Sequence, residues 1–448
     1  MNFENQMDIF DYLKRPVTIT KPIRLIELFA GYGSQAMALK KINAKFEHSK
    51  VVEFDKYAIK SYNAVHGTNF TPMDITKIHG TDLNICNTMD FTYLLTYSFP
   101  CTDLSLAGKQ LGMSKGSNTR SGLLWEVERI LTEIQDGKGE LPQILFMENV
   151  PQVHNKKNLK DFEKWIYFLE ELGYTNYWQD LNTKDYGVAQ SRNRCFMFSF
   201  LGEYNYCFPP AIPLNKKLKD YLENNVAEKY YINNEKAEKL IKQLINNGTL
   251  AQKKLKMEQI CIDGTINNPQ QKNIANCISA RYDCGISNYQ KVGNLVIKQI
   301  KVIGKLYSYG GNYPRQIYST EHLSPTLTTM QGGNTQPMIV AMRGRNPDNP
   351  SERKAGLPTE QRLEINSKGI SNCLTSVQKD NLVLEKEQQY RIRKLTPREC
   401  GRLMGVSDED ISKMEKVNSN TQLYKQFGNS IVVDVMCAMF KNLNIKQD

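Results

Sequence analysis

Short apolar runs that break off into polar or glycine-bearing turns dominate the chain from Arg24 to Gly202. RLIELF, SKVVEFD, TYLLTYSF and QILFMENV begin at Arg24, Ser49, Thr92 and Gln143. Each is too continuously apolar for a strand with one wet face. The pattern therefore predicts strands buried on both sides, as in a parallel sheet covered by helices. AMALKKI, from Ala36, and NLKDFEKWIYFLEELG, from Asn158, have helical character and fall between strands, which implies βαβ units. RCFMFSFLG, from Arg194, reads as the last strand of the block. The predicted fold class is α/β, a doubly wound and mostly parallel sheet over residues 22–202, with an N-terminal extension at 1–21.

Beyond Gly202 the periodicity changes. NNEKAEKLIKQLINNGTLAQKKLKMEQI, from Asn233, is charged and helix-prone, whereas residues 261–392 are rich in Gly, Asn, Thr, Pro and Arg with short strand-like pieces. LTPRECGRLMGV then reads as a helix opened by Thr-Pro, and NSIVVDVMCAMF as an apolar helix that needs a partner surface. The expected organisation is an inserted smaller domain at 203–392 and a segment, 393–448, that returns to the first domain.

Composition narrows the function classes. The 448 residues carry a formal charge of +11, which favours a polyanionic partner. No apolar run approaches the roughly 20 residues of a membrane span. The start lacks a basic region followed by an apolar core, so a cytoplasmic location is expected. The ten cysteines are scattered singly without a CxxC, and with five histidines in all no metal site is expected.

Candidate chemistry sits at the strand ends. Cys101, in SFPCTDLS, follows a buried strand; it is either a packed thiol or a nucleophile at the mouth of an open sheet. In ELFAGYGSQ, Gly31 and Gly33 allow a tight turn and close approach to a ligand, or serve as a structural turn. Ala36 stands where a dinucleotide fingerprint has its third glycine, which argues against a nicotinamide enzyme. Glu53 ends the next strand some 20 residues on, where a carboxylate can hold ribose hydroxyls or simply cap a helix. Asp74 could receive an amino group or cap a turn. Glu148 is placed just after the strand QILF, where burial can raise its pKa and suit it to acid catalysis, or where it is a surface glutamate in a loop. Arg192 and Arg194, two apart, project to one side if the chain is extended, where they could fix a carboxylate and a phosphate or form a solvated edge. The stretch from Cys101 to Trp125, with Gly108, Gly112, Gly116, Gly122, Lys109, Lys115 and Arg120, has the makeup of a basic lid or of a disordered surface loop, and its position directly after Cys101 favours the lid.

Together these motifs resemble one family, the cytosine-C5 DNA methyltransferases of bacteria and phages. FAGYGSQ, VVEFDK, DIT at Asp74, SFPCTDLS, MENV, QSRNR, LTPREC and YKQFGNSIVVDV occur in the family's order and span residues 25–435. The resemblance implies a Rossmann-like S-adenosyl-L-methionine-dependent fold, with 203–392 as target-recognition domain. It implies that Cys101 attacks C6 of a flipped cytosine, that Glu148 contacts N3 and the exocyclic amine, and that Arg192 and Arg194 hold the base site. It places Phe29, Gly31, Gly33, Glu53, Phe54, Asp74, Ile75, Pro100 and Asn429 around S-adenosyl-L-methionine. Double-stranded DNA is the expected partner, with Arg120, Arg315, Gln331, Arg343, Arg345 and Gln378 as candidate contacts. A separately acting restriction endonuclease and monomeric action are further expectations. Thr102 departs from the family's usual Gln after Pro-Cys. The competing readings are a tRNA cytosine-C5 methyltransferase and a catalytically inactive DNA-binding protein.

Overall fold

The computed structural model describes residues 14–104, 111–117, 119–232, 259–263, 270–271, 274–276, 294–307, 315–318, 342–345, 360–363, 383–384 and 388–447. The chain divides into two compact units, the first Met1–Asn224, Lys272–Asn294 and Leu395–Asp448, the second Asn225–Gln271 and Leu295–Lys394.

In the first unit, β1 (Ile23–Leu28), β2 (Phe46–Val52), β3 (Thr92–Tyr97), β4 (Ile144–Asn149), β5 (Tyr174–Asn182) and β6 (Asn193–Leu201) build a six-stranded sheet. Their order is β2-β1-β3-β4-β6-β5. β1 is parallel to β2 and β3, and β3 to β4, while β6 runs antiparallel to both β4 and β5. The sheet is thus mostly parallel, and β1 and β3 flank the point where strand order reverses. Loops leaving their carboxyl ends diverge there and open a crevice.

Helices cover the sheet: α1 (Ser34–Lys41), α2 (Lys56–His66), α3 (Leu124–Asp136) and α4 (Leu159–Glu171). α3 buries Leu124, Val127, Leu131 and Ile134, the i, i+3, i+7 stripe of a helix packed on one face. Four further helices follow the insert, α5 (Pro397–Leu403), α6 (Asp408–Val417), α7 (Asn420–Asn429) and α8 (Val433–Lys441). Thr396 and Glu399 form a reciprocal capping box at the start of α5, with Pro397 inside the first turn. The apolar α8 lays Phe440 against Phe146 of β4 and Phe198 of β6, at ring distances of 5.4 and 6.2 Å. Among the described residues no helix is long and apolar enough to cross a membrane.

Two boundaries differ from the apolar pattern. β2 starts at Phe46, because an edge strand with half-exposed residues leaves no apolar run to read. β4 continues through Asn149, so Glu148 lies within the strand and not after it, opposite Phe196 of β6. An antiparallel neighbour supplies ladder bonds to that end, and all six residues of the strand are buried.

The second unit contains β7 (Gln259–Asp263), the long β8 (Asn294–Tyr307) from Leu295 onward, and β9 (Gln388–Lys394). β8 and β9 are antiparallel from Leu295↔Lys394 to Lys301↔Gln388. Arg315 opens a strand, Arg315–Tyr318, paired with β8, and Arg343 and Arg345 lie two apart on Met342–Arg345. Gln331, Gln378, Gly108, Lys109 and the helix-prone stretch 233–258 lie outside the described residues.

Candidate active site

Residues at the ends of β1 and β2 form the first part of the site. After Leu28 the backbone passes through positive φ at Phe29 (58°), Gly31 (59°) and Gly33 (81°) before α1 begins. A non-glycine residue in that region stores strain, a frequent mark of a binding loop. Glu53 fixes the turn: its Oε2 accepts from Gly31 N at 2.9 Å and its Oε1 from Asp55 N at 2.7 Å. Burial pushes the Glu53 carboxyl up, and those two amide donors pull it back. Met73 N donates to Glu53 O at 2.8 Å, which brings Asp74 and Ile75 to the same strand end. Asp74 accepts from Thr76 N at 3.1 Å and from Thr76 Oγ1 at 2.9 Å, so it caps the turn, while Ile75 is buried.

The two glycines have different reasons. A Cβ on Gly31 would meet nothing within 4 Å, whereas one on Gly33 would stand 2.4 Å from His66 Nε2 and 2.6 Å from Tyr62. Gly33 is required by packing on α2; Gly31 faces open space. Phe54, next to Glu53 in the chain, is 76% exposed. Open backbone, a held carboxylate and a bare aromatic face fit a nucleoside-bearing cofactor.

The second part lies at the ends of β3, β4 and β6. Cys101 is half-buried and packs on the main core. The carbonyls of the two residues before it are both tied down. Asn149 Nδ2 donates to Phe99 O at 2.9 Å and Ser121 Oγ to Pro100 O at 2.7 Å. Neither anchor was singled out in the sequence; Asn149 adjoins Glu148 in MENV, and Ser121 carried no signal. Arg120 N donates to Asp103 Oδ2 at 2.8 Å, with its own side chain exposed. Thr102 is exposed as well. The described part of the stretch after Cys101 is anchored: Met113 is fully buried, and its carbonyl accepts from Trp125 Nε1 at 2.6 Å.

Glu148 is 6% exposed, and Arg194 Nε lies 3.0 Å from its Oε1. Burial pushes Glu148 up, opposed by Arg194 and Arg192. Burial also pushes the Cys101 thiol up; Arg194 and Arg192 pull it down, and the Glu148 carboxylate pushes it up again. The net direction is upward, because desolvation outweighs both guanidiniums. The arginines also part ways. Arg192 is buried, and its Nη2 donates to Gly428 O at 3.2 Å and Ser430 O at 2.6 Å. Arg192 thereby holds the turn that carries Asn429, the exposed last residue of α7. Ser430 Oγ is 3.2 Å from Ser34 Oγ at the head of α1, so this turn joins the two parts of the site.

A glycine turn at a topological switch point, with a carboxylate on the neighbouring strand, defines the class as a Rossmann-like α/β protein with a crevice for a nucleoside-bearing cofactor. Solved structures with this fold include the Entamoeba histolytica methyltransferase EhMeth, with a TM-score of 0.53 at 16% identity over 95% of this chain and 98% of that one. The S. pombe Dnmt2 methyltransferase gives 0.52 at 16% identity over 96% and 98%. The family model "C-5 cytosine-specific DNA methylase" matches residues 23–444, and the chain belongs to that family. It is similar to the type II methyltransferase M2.ScrFI of Lactococcus lactis subsp. cremoris, 28% identical over 94% of this chain and 99% of the relative. The orphan methyltransferase M.SPBetaI of Bacillus phage SPbeta is 27% identical over 94% and 97%. The chain is accordingly a DNA cytosine-5-methyltransferase.

Proposed function

We propose that the protein methylates C5 of a cytosine flipped out of double-stranded DNA, with Cys101 as nucleophile at C6. C5 of cytosine is a weak nucleophile, and addition of a thiolate at C6 makes the ring enamine-like. The C6–S bond forms as the C5–C6 π electrons shift, and Glu148 supplies a proton or hydrogen bond at N3 to receive the density building there. After C5 has gained the methyl group, loss of its proton expels Cys101 and restores the aromatic ring. Flipping is required because C5 and C6 are inaccessible to a thiol in a stacked duplex.

S-adenosyl-L-methionine, when bound, supplies an electrophilic methyl group. Phe29, Gly31, Glu53, Phe54, Asp74, Ile75, Pro100 and Asn429 would hold it, Glu53 at the ribose and Phe54 against the adenine. Gly33 would act one step back, by keeping the turn against α2. Arg194 orients Glu148, and Arg192 locks the turn bearing Asn429. We assign target recognition to the insert, with Arg315, Arg343 and Arg345 as DNA contacts.

The observation that carries the reading is the half-buried Cys101 in the field of a buried Glu148–Arg194 pair. A duplex bearing 5-fluorocytosine in its target tests it, because fluorine at C5 cannot leave as a proton does. With cofactor present, a denaturation-resistant adduct is expected at Cys101. Normal methylation of ordinary cytosine without any adduct would overturn the covalent step, and an adduct with tRNA alone would overturn the choice of DNA.

A further inference from the structure

Three side chains from separate segments converge behind the catalytic strands. Asp180 of β5 stands opposite Cys195 of β6, and Cys195 is in turn opposite Asn149 at the end of β4. His154 closes the turn Pro151–His154, which follows β4. His154 Nε2 lies 2.9 Å from Asp180 Oδ1, and one ligand atom from each of His154, Asp180 and Cys195 lies within 4.8 Å of the others. Neighbouring side chains on a strand point to opposite faces. Cys195 is therefore back to back with Arg194, whose guanidinium holds Glu148 on the other side.

We infer that His154, Asp180 and Cys195 form a binding site for a thiophilic divalent cation, with zinc the best match. Imidazole nitrogen, carboxylate oxygen and thiolate sulfur are the donors zinc takes, at about 2.0–2.3 Å, so a tetrahedral set stands about 3.5 Å apart. Small rotations of His154 and Asp180 reach that spacing, because both side chains are only half-buried, at 22% and 30% exposure. Cys195 is fully buried and supplies the fixed corner. Trp178, two residues before Asp180 on the same face of β5, packs on the imidazole at a ring distance of 4.8 Å and holds its plane. The exposed parts of His154 and Asp180 leave one side of the cluster open to solvent, from which a cation would enter.

The ion takes no part in methyl transfer. It ties β5, β6 and the turn after β4 into one unit directly behind Glu148 and Arg194. Binding displaces the thiol proton of Cys195 and any proton shared by His154 and Asp180. The sequence hides the site, because its ligands come from positions 154, 180 and 195, with none of the close spacings of a zinc motif.

The full chain, stripped with a chelator and titrated with Co²⁺ alone, provides the test. One Co²⁺ per chain is expected, with near-ultraviolet thiolate-to-cobalt absorption that Zn²⁺ then removes. Cys195→Ser should abolish that absorption. Because a core substitution can unfold the chain, His154→Gln and Asp180→Asn serve as second variants, checked for native circular dichroism. Each should weaken Co²⁺ binding by at least about tenfold, about 1.4 kcal/mol. Zn²⁺ should raise the thermal unfolding midpoint of the wild type and not that of His154→Gln. No uptake by the wild type, or uptake of equal affinity and spectrum in His154→Gln and Asp180→Asn, would overturn the site.

Discussion

Arg194 sits between two groups that the proposed reaction needs in opposite states. Cys101 must lose its proton to attack, and Glu148 must offer one to N3, yet burial pushes both pKa values up. The guanidinium favours the anion of each. Replacing Arg194 with Gln removes that pull, so both limbs of the kcat/KM pH profile should move to higher pH. The rate should fall by on the order of 10²-fold, as for loss of one preorganised charge. A profile displaced to lower pH would contradict the assigned electrostatics. Cys101→Ala should abolish turnover and leave duplex binding measurable in a gel-shift titration; product formation at the wild-type rate would eliminate the covalent role. Cys101, Glu148 and both arginines were legible as residue types beside strand ends. Their division of labour was not, because Arg192 finds its acceptors at Gly428 and Ser430, more than two hundred positions away.

The join between β1 and α2 shows how a turn is held from behind. Glu27 of β1 is fully buried and accepts from Tyr62 of α2, whose hydroxyl also lies 2.6 Å from His48 Nδ1. Burial lifts Glu27 to about 7 from an ordinary 4.5, despite the Tyr62 bond. A raised folded-state pKa means that the neutral carboxyl stabilises the fold below about pH 4.5, and that this is lost as pH rises through about 7. At about 1.4 kcal/mol per pH unit the ceiling is about 3 kcal/mol. Urea titrations at pH 5.5 and 8 should therefore show the wild type losing ground to Glu27→Gln at the higher pH. A gap between the two that is independent of pH would sink the assignment.

The neighbouring glycines make a second comparison. Gly31→Ala carries only the backbone cost of positive φ, about 1–2 kcal/mol, and should fold while binding the cofactor more weakly. Gly33→Ala adds a collision with Tyr62 and His66, so its unfolding midpoint should fall further. Equal midpoints would refute the packing role of Gly33. The sequence showed a glycine turn after an apolar strand, but both glycines read alike there. What separates them is the helix packed behind one and open space before the other. In the same way the central strands were legible because both faces are buried. β2 was truncated because the half-exposed residues of an edge strand leave no apolar run, and β4 was cut short because its antiparallel partner is distant in sequence.

Across the molecule, a charge of +11 should make DNA binding strongly salt-dependent, with the logarithm of affinity falling linearly against the logarithm of salt concentration. Arg343→Ala with Arg345→Ala tests the role of the second unit. If these side chains read bases, the preference for the target over other duplexes shrinks, by about 1–3 kcal/mol per lost contact. If they touch only phosphates, affinity falls for all duplexes alike and the salt slope flattens.

The first unit is built from distant parts of the chain, and that has a consequence in time. A ribosome must finish the whole insert before it delivers Leu395–Asp448, which brings Phe440 to the sheet and the Gly428 and Ser430 carbonyls to Arg192. Until then the glycine turn, Cys101 and Glu148 exist without the segment that locks them together. A chain that stops before Leu395 therefore lacks the segment that holds its site together and should transfer no methyl group, and the first unit is completed only after the second has been made.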